Sequence, residues 1–101
     1  MSEKPLVSLI LPSLNVAPYI EPCLNSVTGQ SLREIEIICV DAGSTDGTTE
    51  KIMQYASKDD RIRVLHSEIR SYGAQVNIGI QSAKGEYLGI IDTDDYVSMQ
   101  M

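Results

Sequence analysis

The chain contains no tryptophan and no phenylalanine, and its only aromatics are five tyrosines. Its apolar packing must therefore rest on aliphatic side chains, which are plentiful. Basic residues are also scarce: eight Lys and Arg stand against fourteen Asp and Glu, for a net charge of −6. That balance argues against nonspecific nucleic-acid binding, which needs a basic face, and against a polybasic membrane surface. An anionic ligand remains admissible if a metal ion or backbone amides face it. No apolar run approaches the ~18 residues of a membrane-spanning helix. The opening Met1-Ser2-Glu3-Lys4-Pro5 lacks the basic and apolar segments of a secretion signal. With only Cys23 and Cys39 as thiols, the reading is of a soluble cytoplasmic chain with reduced cysteines. A C-terminal extension could still hold it peripherally at the inner face of the membrane.

Several familiar signatures are missing as well. There is no G-x-G-x-x-G and no G-x-x-x-x-G-K-S/T, so neither a dinucleotide fingerprint nor a P-loop is supported. There is no G-x-S-x-G elbow. The lone His66 has no Cys or His partner at ligand spacing and reads as a rim residue. Cys23 and Cys39 read as buried packing. Lys4, Lys51, Lys58, Arg61 and Arg63 read most simply as a solvated surface.

What is present is an alternation. Leu6–Leu11, Ile35–Val40, Arg61–His66 and Tyr87–Ile91 are strand-length runs rich in branched aliphatics. The first, second and fourth are nearly continuous, which suits parallel strands covered on both faces. The third alternates Arg with apolar residues and reads as an edge strand. Between them lie three helical segments. Pro18 to about Gly29 sets Ile20, Leu24 and Val27 on one face, with Pro18 in the first turn. Thr48 to about Ser57 follows Asp46 as N-cap and places Ile52 and Ala56 a turn apart. Gly73 to about Lys84 aligns Val76, Ile80 and Ala83, and Gly85 supplies the stop. The order βαβαβαβ implies one α/β domain with a parallel sheet and right-handed crossovers. Ligands of such sheets bind beyond the carboxyl ends of the strands. That rule selects Pro12 to Asn15, Asp41 to Gly47, His66 to Gly73, and Asp92 to Asp95.

Three of these segments carry candidate chemistry. In Asp92-Thr93-Asp94-Asp95, three carboxylates at a strand end repel one another, and a bound Mg²⁺ or Mn²⁺ would remove that cost while keeping positions open for phosphate oxygens. The plain alternative is a solvated acidic loop capping a following helix. In Val40-Asp41-Ala42-Gly43-Ser44-Thr45-Asp46-Gly47, Asp41 can accept hydrogen bonds from a base or ribose, and the glycines permit sharp turning. A plain turn followed by a helix cap explains Asp46 and Gly47 well, and Asp41 and Gly43 less well. In Tyr72-Gly73-Ala74-Gln75-Val76-Asn77-Ile78-Gly79, two glycines early in a helix cost ~1 kcal/mol each. Close approach of a ligand or a neighbouring backbone would explain them, and tight helix–sheet packing would explain Gly79.

Taken in order, these pieces resemble the family-2 glycosyltransferases of the GT-A fold. The likeness starts at Val7-Ser8-Leu9-Ile10-Leu11-Pro12-Ser13-Leu14-Asn15, similar to the family's V-S-x-I-x-P-x-x-N. It continues through Tyr19–Val27 and Gln30-Ser31-Leu32, then Val40-Asp41-Ala42-Gly43-Ser44-Thr45-Asp46-Gly47-Thr48. It ends in Ala83-Lys84-Gly85-Glu86-Tyr87-Leu88 and the D-x-D-D run. The resemblance implies a Rossmann-like three-layer α/β sandwich with a mainly parallel sheet, present here as a truncated GT-A fold. Residues 1–101 would be the N-terminal, nucleotide-sugar-binding part, with the acceptor half absent. It also implies transfer of a sugar, with inversion, from a nucleotide-diphosphate sugar (a UDP-sugar foremost) to a hydroxyl of a saccharide or lipid-linked acceptor, in cell-surface polysaccharide or lipopolysaccharide synthesis. Asp41 would contact the base. Pro12, Ser13, Asn15, Gly43, Ser44, Gly73 and Asn77 would line the donor side. Asp94 would ligate Mn²⁺ or Mg²⁺, with Asp92 beside ribose or metal-bound water and Asp95 as a further donor-side carboxylate.

Two departures qualify the likeness. Many members carry Arg just before the Asn of the third motif, where this chain has Val76. The general base of the family lies well beyond the D-x-D, so it would fall past Met101, and these residues alone would bind donor weakly without transferring sugar. Two other readings compete. A haloacid-dehalogenase-like phosphatase also ends an apolar strand in D-x-D, but on its first strand and followed by Gly-Thr or Gly-Val, not Asp95-Tyr96. A non-catalytic nucleotide-binding module or remnant would bind without turnover. Apolar surface left bare by missing strands would then favour self-association.

Overall fold

The computed structural model describes residues 5–29 and 34–91. Its elements are β1 (Val7–Pro12), α1 (Ala17–Thr28), β2 (Ile35–Asp41), α2 (Thr48–Ala56), β3 (Ile62–His66), α3 (Tyr72–Ser82) and β4 (Tyr87–Ile90). The expected alternation holds, with boundaries shifted by a residue or two. All strand pairs are parallel and the sheet order is β3-β2-β1-β4. The chain winds outward from β1 through β2 to β3, then crosses back over the sheet to place β4 on the other side of β1. The winding direction therefore reverses between β1 and β4, the switch point at which such sheets bind ligands.

Two layers of side chains cover the sheet. Leu9 and Leu11 of β1 and Ile35, Ile37 and Cys39 of β2 pack with Ile20, Leu24 and Val27 of α1 and Ile52 of α2. The intervening residues Ile10, Ile38 and Val40 point the other way and meet Ile78 and Ala83 at α3. This is the period-two alternation of a strand, apolar on both faces because helices cover both. The aliphatic core thus needs no Phe or Trp. A fully buried Ile or Leu contributes ~1.5–3 kcal/mol, and Ile10, Leu11, Ile20, Leu24, Ile37 and Ile38 all reach full burial.

Several expectations are corrected. β4 is not covered on both faces: Tyr87, Leu88 and Ile90 are 61, 51 and 47% exposed. It pairs with β1 alone among the described residues, and α3 packs over β1 and β2 instead. α3 does not bury Val76 and Ile80. It turns Gln75 and Gly79 to the sheet, and Ile80 is exposed. The reason is proximity: a Cβ on Gly79 would sit 2.5 Å from Ile10 Cγ2, so the helix lies closer to β1 than a larger residue permits. Helix α2 is capped by Gly47 in the left-handed region at φ 94°, not by Asp46. Asp46 still accepts from the Thr48 N–H at 3.1 Å.

Gly85 does not end α3 either, because the C-cap is Ala83 in an extended conformation. A Cβ on Gly85 would lie 2.8 Å from the Ser8 nitrogen and 2.9 Å from the Val7 carbonyl carbon, so Gly85 serves a backbone-to-backbone approach.

Two arginines assigned to solvent are tied into the fold. Arg61 makes a forked pair with Asp59, at 2.9 and 2.7 Å, and donates to Thr28 O at 3.0 Å. Arg63 donates to Glu36 Oε1 and to Ser82 O, both at 2.9 Å. Glu36 is only 6% exposed. It also accepts from the Ser8 hydroxyl at 2.6 Å and from the Lys84 N–H, while Ser8 Oγ accepts from Gly85 N–H at 2.8 Å. One buried carboxylate thereby joins β1, β2, β3 and the α3–β4 turn. Cys39 is buried and Cys23 partly so, both as free thiols packed in the core. Burial pushes Cys39 up to about 12, with Cys23 nearby adding to it, and Cys23 to about 11, so neither is a nucleophile near neutrality. No helix among the described residues is long and apolar enough to cross a membrane.

Candidate functional site

At the carboxyl ends of β1 and β2, two loops lock together. Pro12 closes β1 opposite Val40, and the Ser13 N–H donates to Val40 O at 2.9 Å. The Ser13 hydroxyl turns back to Leu11 O at 2.7 Å. Asn15 adopts φ 54°, a left-handed conformation that Asn tolerates better than most residues. Its side-chain oxygen accepts from Thr45 N–H at 2.8 Å, and its own N–H donates to Ser44 Oγ at 2.9 Å. The next two amides are taken as well: Val16 N–H by Thr48 Oγ1 at 2.9 Å and Ala17 N–H by Asp46 Oδ2 at 3.0 Å. The amides that open α1 are thus satisfied by side chains of the other loop, which is why Val16 caps the helix without a side-chain bond of its own. Hydrogen bonding, from the Thr48 hydroxyl first, holds the Asp46 carboxyl below the usual carboxylate range.

Asp41 sits under this junction, 6% exposed at the last position of β2. Its carboxylate accepts from Gly43 N–H at 3.2 Å, Ser44 N–H at 3.3 Å and the Ser44 hydroxyl. Gly43 makes the turn possible with φ 87°, and open space lies where its Cβ would be. Ser44 Oγ also lies 3.0 Å from Ser13 O. Ser44 therefore links Asp41, Ser13 and Asn15 in one network.

Pro12, Ser13, Asn15, Asp41, Gly43 and Ser44 are thus brought together at one end of the sheet. Gly73 lies in the first turn of α3, exposed, with nothing within 4 Å of its would-be Cβ. Asn77 is exposed and two residues from both Gln75 and Gly79, which puts it on the side of α3 facing away from the sheet. It does not join the loop network. Asp92, Asp94 and Asp95 lie outside the described residues. The chain is described up to Ile91, whose N–H donates to Ile10 O at 2.9 Å beside the switch point. No group of three His, Cys, Asp or Glu able to hold a metal occurs among the described residues.

Sequence reasoning missed two residues of this region. Gln75 is 3% exposed, and its Nε2 donates to Val40 O at 2.9 Å. Arg70 reaches Ala42 O at 3.3 Å and Gly43 O at 3.0 Å. The available signal for Gln75 was its place one helical turn before Gly79, on the same face of α3. Arg70 carried only its place in the His66–Gly73 segment that the carboxyl-end rule selects, with nothing local to tie it to residues 42 and 43.

A doubly wound parallel sheet with its polar loops gathered at the carboxyl ends of β1 and β2 defines a Rossmann-like α/β domain. Residues 8–101 match the family described as glycosyl transferase family 2, and the chain belongs to that family. It is 46% identical over 97 residues to the uncharacterized glycosyltransferase EpsJ of Bacillus subtilis (strain 168), covering 96% of this chain and 28% of that protein. It is 43% identical over 102 residues to the glycosyltransferase GlyG of Streptococcus pneumoniae serotype 4 (strain ATCC BAA-334 / TIGR4), covering 100% of this chain and 33% of GlyG.

Among solved structures, S. aureus TarS 1–349 in complex with UDP superposes with a TM-score of 0.83 at 32% identity, over 92% of this chain and 28% of TarS 1–349. The mannosyltransferase PcManGT from Pyrobaculum calidifontis, in complex with GDP-Man and Mn²⁺, superposes with a TM-score of 0.81 at 30% identity, over 92% of this chain and 28% of its own. The chain therefore spans about a third or less of these relatives. The family match favours the transferase over the phosphatase reading.

Proposed function

We propose that residues 1–101 form the donor-binding part of an inverting glycosyltransferase that uses a nucleotide-diphosphate sugar, a UDP-sugar foremost. The observation that carries this is the interlocked pair of loops at the carboxyl ends of β1 and β2, beside the switch point, in a chain of this family. TarS in complex with UDP and PcManGT in complex with GDP-Man and Mn²⁺ support the ligand class.

In this reading Asp41 receives the base, held at a fixed angle by Gly43 and Ser44. Pro12, Ser13 and Asn15 form the wall opposite, and Gly73 leaves room at the start of α3. Asn77 keeps only a positional role there. Asp92, Asp94 and Asp95 supply hard carboxylate oxygens, a donor set that suits Mn²⁺ or Mg²⁺, with Asp94 as direct ligand. When bound, such an ion neutralises charge on the departing diphosphate. Activation of the acceptor hydroxyl and recognition of a saccharide or lipid-linked acceptor belong to residues outside this chain. The process served would be cell-surface polysaccharide assembly at the cytoplasmic face of the membrane. The exposed β4 edge, with Tyr87, Leu88 and Ile90 bare, would favour self-association of the isolated chain.

Amide chemical-shift mapping with UDP and Mg²⁺ tests the location. The expected result is that shifts concentrate at the amides of residues 13–16, 41–47 and 70–74, Pro12 having no N–H. Perturbations confined to the opposite end of the sheet, around Ser8, Glu36 and Lys84, would refute the proposed site.

A further inference from the structure

Residues 40–43 lead from β2 into the loop beside Asp41, and each of their four carbonyl oxygens accepts a hydrogen bond from residues 67–75. Gln75 Nε2 donates to Val40 O at 2.9 Å and Ser67 N–H to Asp41 O at 2.8 Å. Arg70 Nε donates to Ala42 O at 3.3 Å and Arg70 Nη2 to Gly43 O at 3.0 Å. The strand ladder itself ends at the Asp41–His66 pair, so the two Arg70 bonds are additional to the sheet.

Their geometry has a specific consequence. The carbonyl of Ala42 and the N–H of Gly43 belong to one peptide plane, and the carbonyl of Gly43 and the N–H of Ser44 to the next. Arg70 holds the carbonyl ends of both planes. The Asp41 carboxylate accepts from the N–H ends of the same two planes. Between them lies Gly43 at φ 87°, the residue with the greatest freedom to rotate both planes. A guanidinium presents Nε and Nη2 as a rigid fork able to engage two successive carbonyls at once, whereas an ammonium is a point donor. Arg70 is itself exposed, so its aliphatic stem contributes little to the core.

We propose that Arg70 is a positioning residue for the donor site: it locks the two peptide planes after Asp41 and so fixes the angle at which that carboxylate meets the nucleotide base. This rests on the donor-site reading above, and Arg70 acts through the loop.

The test compares wild type, Arg70→Ala and Arg70→Lys in three measurements: thermal midpoint, amide hydrogen exchange, and UDP affinity with Mn²⁺ by calorimetry. In Arg70→Ala, exchange at the Gly43 and Ser44 amides should rise about tenfold while the Ile10 and Ile37 amides keep their rates, since local opening is separable from global unfolding. UDP affinity should fall about tenfold, equivalent to ~1.4 kcal/mol. Arg70→Lys should fall between the two, restoring one carbonyl contact at a time. The proposal is overturned by unchanged exchange at Gly43 and Ser44, or by a loosened loop with undiminished UDP affinity. It is also overturned by a lowered midpoint with all amides accelerated together, which would mark a general structural role. If wild type binds no UDP, the donor-site reading itself falls and the positioning of a nucleotide with it. The exchange rates then still decide whether Arg70 clamps the loop.

Discussion

Asp41 and Glu36 lie at opposite ends of the same strand, and both are buried carboxylates satisfied by their surroundings. Asp41 organises its own loop, accepting from Gly43 and Ser44, and a carboxylate has lone pairs beyond those two amides and one hydroxyl for a ligand donor. Glu36 is purely architectural. Burial alone pushes its carboxyl up, but the Ser8 hydroxyl, the Lys84 amide and Arg63 together outweigh this and hold it below its ordinary range.

The sign of the consequence follows from linkage. A depressed folded-state value means that the unfolded chain binds the proton first as pH falls. The Glu36 contribution is therefore complete above the unfolded carboxylate value of ~4.3 and is lost as pH drops through the lowered folded value. Urea midpoints measured from pH 7 to pH 3 should fall less steeply in Glu36→Gln than in wild type. At pH 7 the variant should be ~1–3 kcal/mol less stable, the cost of leaving buried donors poorly matched. Parallel pH profiles in the two proteins would remove Glu36 from the acid response.

Asp41 was legible in the sequence because a carboxylate directly after an apolar run, followed by Gly and Ser, marks a strand end. Glu36 was not. It stands inside an apolar run at the β2 start, and its partners come from Ser8, Arg63 and Lys84, which nothing local connects.

At the scale of elements, the strands and helices were readable from apolar runs, and the misplaced face of α3 has one cause. Residue size was read as a guide to burial on α3. In the structure a glycine makes the close contact, and the larger Val76 and Ile80 are left to the side. Tight helix–sheet packing is one of the two readings the sequence leaves open for Gly79, and its contact with Ile10 bears that out, whereas Gly85, which reads as a helix stop, instead lets its backbone approach β1. Gly79→Ala would press on Ile10 Cγ2, part of a fully buried side chain. It should cost ~1–3 kcal/mol by overpacking, despite the gain in helix propensity. Gly85→Ala meets β1 backbone instead, which yields less readily than a side chain, and should be the more destabilising of the two. Thermal or urea denaturation of both variants checks the order, and a stabilised Gly85→Ala would contradict the assigned contact. The interlock of the β1–α1 and β2–α2 loops was likewise beyond local reading. Asp46 was recognised as a capping residue, but it serves the amide of Ala17, on α1, as well as that of Thr48.

For the whole molecule, the order of elements was enough to infer a parallel α/β sheet and to select the carboxyl-end loops, because right-handed crossovers leave few alternatives. What the order did not give was which strand would stand bare. β4 is as apolar as β1 and β2, yet its cover depends on neighbours that the described residues do not include. The central claim is that these loops and the acidic run after Ile91 together bind a nucleotide diphosphate through a divalent ion. Calorimetric titration of UDP into the 101-residue chain, with Mn²⁺ and then with chelator, tests it most directly. The account predicts saturable binding that requires Mn²⁺ and is lost in Asp94→Asn. Binding of equal strength in chelator, or none with Mn²⁺ at millimolar nucleotide (a free energy weaker than about −4 kcal/mol), would contradict it.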